Sequence, residues 1–177
     1  MLALVVYESM FGNSERIARA VAAGLAEHGG VVVQDVATGV PGDIAAGVDL
    51  LVAGGPTHAM SMSRTSTRVD AVRQGAGQGN VGRGLREWLA AAPDDLDGLA
   101  FTTFDTRVSR ARRLPGSAAK GAARALRRRH ARLLTLPESF FVGDVAGPLD
   151  PDEVERATAW GRKIGTLVEQ GAPSTAG

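Results

Sequence analysis

At 177 residues the chain is long enough for one domain with a full core. Apolar residues make up 44% and the formal net charge is +1, so the bulk composition argues for neither a specific nucleic-acid partner nor a membrane. With no cysteines, disulfides, thiol catalysis and Cys-ligated metal are excluded, and the three scattered histidines, His28, His58 and His130, give no metal-binding spacing. No basic segment precedes an apolar core at the start, so the expectation is a protein without a signal peptide, located in the cytoplasm.

Taken in order, the pattern alternates strand and helix. Residues 2–7 are a short, Val-rich apolar run, the mark of a strand buried on both faces. From Asn13 the period becomes helical, with Ile17, Ala20, Val21, Leu25 and His28 on one face and a stop at Gly29-Gly30. Residues 31–36 form a second strand. A turn at 40–43 leads into a short helical piece through Val48. Residues 49–53 form a third strand that breaks at Gly54-Gly55-Pro56. A loop over 57–63 precedes a helix over 64–74 with Val69 and Val72 inward. A flexible link at 75–80 then leads to a helix marked by Leu85, Trp88 and Leu89. Strand four covers 99–104 and a long basic loop covers 105–116. Ser117 caps a helix running to about 131. Strand five lies within 132–142, interrupted by Pro137. Pro151 opens a last helix with Val154, Ala157, Gly161, Ile164 and Val168 inward, and residues 172–177 are expected to fray. Five strands with interleaved helices predict a single α/β domain over 1–171. It is a doubly wound parallel sheet of order 2-1-3-4-5 with helices on both faces.

Such sheets bind ligands beyond the carboxyl ends of their strands, where the order reverses. The first loop there is Ser9, Met10, Phe11, Gly12, Asn13 and Ser14. A strand feeding a hydroxyl-rich turn that opens a helix presents several amides and the positive end of a helix dipole, a phosphate site. It lacks the Lys of a nucleoside-triphosphate loop and the G-x-G-x-x-G of a dinucleotide fold. Tyr7, Ser9, Gly12, Ser14 and Ala18 resemble the first loop of the flavodoxin family, with Ser14 where Thr is usual. The resemblance implies that this loop grips the phosphate of FMN.

The second loop, Pro56, Thr57, His58, Ala59 and Met60, follows Gly54-Gly55. It resembles the ring-flanking loop of flavodoxin-like proteins, especially the quinone reductases; His58, Met60 and Met62 are able to pack on a ring. The third, Phe104, Asp105, Thr106 and Arg107, carries no Tyr or Trp where many flavodoxins stack Tyr. Arg107 is the substitute, stacked on a ring or paired with a phosphate.

Residues 106–132 hold ten Lys or Arg, half of the chain's 20, and no acid: Arg107, Arg110, Arg112, Arg113, Lys120, Arg124, Arg127, Arg128, Arg129 and Arg132. The patch is a solvated helix face, a site for the phosphates of NAD(P)H, a dock for an acidic redox partner, or a nonspecific nucleic-acid surface. The expected function is an FMN-binding flavodoxin-like redox protein, transferring electrons or reducing quinone-type acceptors with NAD(P)H. One alternative is a flavodoxin-fold interaction module that has lost its flavin. Another is a phosphate-handling enzyme using Glu8 or Asp105. The oligomeric state is not legible.

Overall fold

The computed structural model describes residues 1–171 apart from 46 and 78. The expected fraying at 172–177 lies outside the described residues. In chain order the elements are β1 (Leu2–Tyr7), α1 (Asn13–Leu25), β2 (Gly30–Asp35), β3 (Leu50–His58), β4 (Ser61–Met62), α2 (Thr65–Arg73), α3 (Leu85–Ala90), β5 (Ala100–Val108), α4 (Ala118–Arg127), β6 (Arg132–Leu133), β7 (Glu138–Val142) and α5 (Glu153–Glu169). A 3-10 turn at Pro41–Ala45 takes the place of the expected helical piece before β3.

The sheet is parallel in the order β2-β1-β3-β5, and the fifth position is shared by β6 and β7, both parallel to β5. The fifth strand is thus broken around Pro137, which has no N–H for the ladder. Alternate side chains divide the core. Ala3, Val5, Val52, Phe104 and Phe140 pack with α1 and α5. Leu4, Val6, Leu51 and Phe101 pack with α3 and α4. Between α1 and α5, Gly24 and Gly161 let the backbones meet; a Cβ on Gly161 would lie 2.2 Å from the Val21 carbonyl oxygen.

Two strands run further than the sequence indicates. β3 continues through Gly54, Gly55 and Pro56 to His58, and β5 continues through Asp105, Thr106 and Arg107 to Val108. The reason is cross-strand packing. Gly54 pairs with Phe104, whose ring lies where a Gly54 side chain would be, with Cε1 2.2 Å from an added Cβ. The glycine marks close approach rather than a strand end. Within α2 the inward residues are Arg68 and Ala71, not Val69 and Val72; Val72 is exposed. In α5, Trp160 is buried and Val154 is exposed. The helix capped by Ser117, whose Oγ accepts from the Lys120 amide, ends at Arg127. No helix among the described residues is long and apolar enough to cross a membrane.

Candidate functional site at the carboxyl ends of the strands

Beyond β1, the Ser9 hydroxyl accepts from the Gly12 amide at 3.0 Å and closes the turn. Gly12 takes the N-cap position of α1 at φ 85°, a left-handed conformation that glycine adopts without a Cβ clash, and no side chain caps the helix. The first-turn amides of α1 therefore have neither an intrahelical acceptor nor a capping side chain, and the positive end of the dipole points into the turn. The Ser14 and Thr106 hydroxyls are buried 2.6 Å apart, joining this turn to the end of β5. Asn13 Nδ2 donates to the Ala146 carbonyl at 3.1 Å and ties down the segment after β7. Ser9 still has its own proton to donate.

A cleft of about 410 Å³ opens beside this turn. Met10, Phe11 and Asn13 of the first loop, all five residues from Pro56 to Met60, and Thr106 and Arg107 line it. The structure thus brings the three sequence-predicted segments together. It does not bring every residue of them. Phe104 is fully buried against Phe140 in an edge-to-face pair, inside the core. Asp105 is also fully buried; its Oδ2 accepts from Thr57 Oγ1 at 3.0 Å and from the Ala119 amide at 3.1 Å, at the N-terminus of α4. It serves as a helix-dipole partner, not a cleft group. Ser9, Gly12 and Ser14 do not line it, and the Ser9 and Ser14 side chains are buried.

Arg107 reaches the cleft but is 5% exposed, and its Nη2 donates to the carbonyls of Ala111 (2.5 Å) and Leu114 (3.2 Å). It straps the segment after β5 and does not begin a solvated basic loop. Ala59 and Met60, at φ 45° and 61°, form the two-residue turn of the β3–β4 hairpin, in which Thr57 pairs with Met62 and His58 with Ser61. Consecutive left-handed non-glycine residues cost about 1 kcal/mol or more each. Such strain, at the lip of a cleft, is where function is often found. Burial, reinforced by the Arg68 charge, lowers the His58 pKa, so the cleft meets a neutral imidazole.

Other lining residues carried no signal in the sequence. Val108 and Ala111 end and follow β5, and Val142 and Val145 end and follow β7. Thr67 and Asp70 come from α2 and Gln74 caps its end; the helix is positioned by a buried polar network. Arg68 is fully buried. It donates from Nε to the Val81 carbonyl (2.8 Å), from Nη1 to Ser63 Oγ (2.7 Å) and from Nη2 to Glu87 (3.1 Å). Glu8, at the end of β1, accepts from the Leu85 amide at 2.7 Å, and burial raises its pKa. Only the folded chain reveals that this carboxyl group anchors α3.

Comparison of the sequence with protein-family models and with curated proteins gives no match. The fold does match. An archaeal flavodoxin superposes with a TM-score of 0.64 at 16% identity, over 96% of this chain and 99% of that one. Flavodoxin 2 from Bacillus cereus gives 0.65 at 20% identity, over 97% and 99%. A WrbA-like flavodoxin from Agrobacterium tumefaciens gives 0.60 at 17%, over 96% and 98%. The chain therefore has the flavodoxin-like fold, and its cleft sits at the switch point of that fold.

Proposed function

We propose that the protein binds FMN in this cleft and acts in redox chemistry. The observation that supports it best is the uncapped, glycine-led N-terminus of α1 opening at the head of an apolar-walled slot. The donor set suits a phosphate monoester: first-turn amides, in a turn that also carries the Ser9 and Ser14 hydroxyls. The slot suits a flat ring, with Pro56, His58, Met60, Val108 and Val145 among its lining residues. Bound flavin supplies reversible electron and hydride chemistry. The chain's part is to hold the phosphate, orient the ring and keep water from its faces. Neutral His58, whose imidazole already hydrogen-bonds the Thr67 backbone, offers its remaining ring nitrogen as an acceptor there without adding charge. Electron carriage and NAD(P)H-dependent quinone-type reduction both fit, with the Arg-rich surface around α4 as the dock for the nicotinamide nucleotide or an acidic redox protein. The test is a visible spectrum after FMN is added and the excess removed. Retained flavin bands support the reading, and NADH or NADPH oxidation with a quinone then separates reductase from carrier. A colourless protein whose melting temperature ignores FMN refutes it.

A second reading is favoured by one observation. No Tyr or Trp lines the cleft, because Tyr7, Trp88 and Trp160 are all buried in the core. A flavodoxin-fold module that recognises a different phosphate-bearing ligand would show this wall, and it is the reading left if FMN does not bind.

A further inference from the structure

A second concavity, of about 310 Å³, lies between α3 and α4. Ser61 and Met62 of the β3–β4 hairpin form part of it, whereas residues 56–60 line the first cleft. Four arginines surround it: Arg86 from α3, Arg124 from α4, and Arg128 and Arg129 just beyond α4. No Asp or Glu lines it. Leu89 and Ala125 give it an apolar floor.

Two of these guanidinium groups are held in place by neutral partners. Arg86 donates from Nε to the Ser63 carbonyl (3.1 Å) and from Nη2 to Ser61 Oγ (3.2 Å) and the Met62 carbonyl (3.0 Å). Arg129 donates from Nη2 to the Ala90 carbonyl (3.2 Å), while its Nε is buried with no acceptor. Arg124 and Arg128 are exposed. Elsewhere in the protein, Arg68, Arg156 and Arg162 each meet a carboxylate. Among the described residues none of the four arginines of this concavity makes such a pair. The negative end of the α4 dipole accounts for cations at its C-terminus. It does not account for Arg86, which another helix contributes, nor for the orphaned Nε of Arg129.

We propose that this concavity binds the pyrophosphate group of a small phosphorylated ligand. The exposed guanidinium forks of Arg124 and Arg128 match phosphate oxygens bidentately, the remaining N–H groups of Arg86 and Arg129 add single contacts, and two linked phosphates carry about the charge needed to balance four arginines. Arg86 and Arg129 are already oriented, which lowers the ordering cost of binding. The concavity has no aromatic side chain on which a nucleic-acid base would stack. The site is separate from the flavin cleft and does not depend on its occupant.

The test is calorimetric titration with inorganic pyrophosphate and, in parallel, with ADP, against sodium chloride at matched ionic strength. The variant is Arg124→Gln/Arg128→Gln. Both side chains are exposed, so its circular dichroism and its melting temperature without ligand should match the wild type. Pyrophosphate should bind, weaken as salt rises, and lose about ten- to a hundredfold in affinity in the variant. Tighter binding of ADP than of pyrophosphate identifies a nucleotide as the source, and the reverse order identifies a free polyphosphate. A Ser14→Ala control should keep this binding. The proposal is overturned if pyrophosphate does no more than chloride. It is equally overturned if the double variant binds pyrophosphate as the wild type does, which would assign the anion to the N-terminus of α1.

Discussion

Replacing Arg68 with Met tests how the α2 wall of the cleft is held. The guanidinium is fully buried and donates to the Val81 carbonyl, to Ser63 Oγ and to Glu87. Met fills much of the volume but leaves those acceptors without their donor. Each stranded acceptor costs about 1–3 kcal/mol, partly offset because no charge is buried any longer. The Glu87 side chain is 35% exposed, so water can resolvate it and its share is small. The expected net loss is about 3–5 kcal/mol, or roughly 10 °C in Tm for a domain of this size. Glu87→Gln keeps an acceptor and should cost about 1 kcal/mol or less. Urea unfolding of both variants measures the difference, with an unchanged m-value confirming that the folded state is the one affected. FMN affinity should fall in parallel, because Thr67 and Asp70 of α2 and Gln74 at its end line the cleft. If Arg68→Met lies within about 1 kcal/mol of the wild type, the network does not position α2 and this reasoning is wrong.

Gly161→Ala places a Cβ 2.2 Å from the Val21 carbonyl oxygen and should force α1 and α5 apart at a cost of about 1–3 kcal/mol, read from the denaturation midpoint. Gly12→Ala strains a left-handed residue by about 1–2 kcal/mol and should weaken FMN binding by fluorescence titration more than it lowers the melting temperature. Glu8 gives a pH dependence of defined sign. Its pKa is raised by burial, so the neutral carboxyl is the form the fold prefers. That contribution is complete below the ordinary value of 4.5 and is lost as pH rises through the raised folded pKa. Melting curves of the wild type and Glu8→Gln should therefore converge at low pH and separate above it, with the variant gaining relative stability; parallel curves throughout would count against a raised pKa.

Much of the architecture is legible in the residues. The short apolar runs at 2–7, 31–36 and 49–53 read as strands, although the second lies at the sheet edge with Val32 half-exposed, and the helical periods at Ile17-Val21-Leu25 and Ala157-Gly161-Ile164 follow from burial of one face. The first loop is legible because a glycine followed by a helix announces a turn with uncapped first-turn amides. The ends of β3 and β5 are not legible. Gly54-Gly55-Pro56 reads as punctuation, yet Phe104, 50 residues away, covers the first of these glycines and carries the strand to His58. Asp105 and Arg107 are the same residue types in a loop or a strand. Only the fold buries them, giving one to the N-terminus of α4 and the other to two carbonyls.

The sequence by itself determined the alternation of strands and helices, hence a doubly wound sheet, and the place of the glycine turn at the end of β1. These rest on periodicity and local backbone chemistry, which act within a few residues. The tertiary structure alone decided which side chains face the cleft, that α2 and the segment after β7 wall it, and that Arg86 joins the arginines of α4 around a second concavity. Those depend on contacts between residues distant in the chain, where packing and the pairing of buried polar groups override local preference.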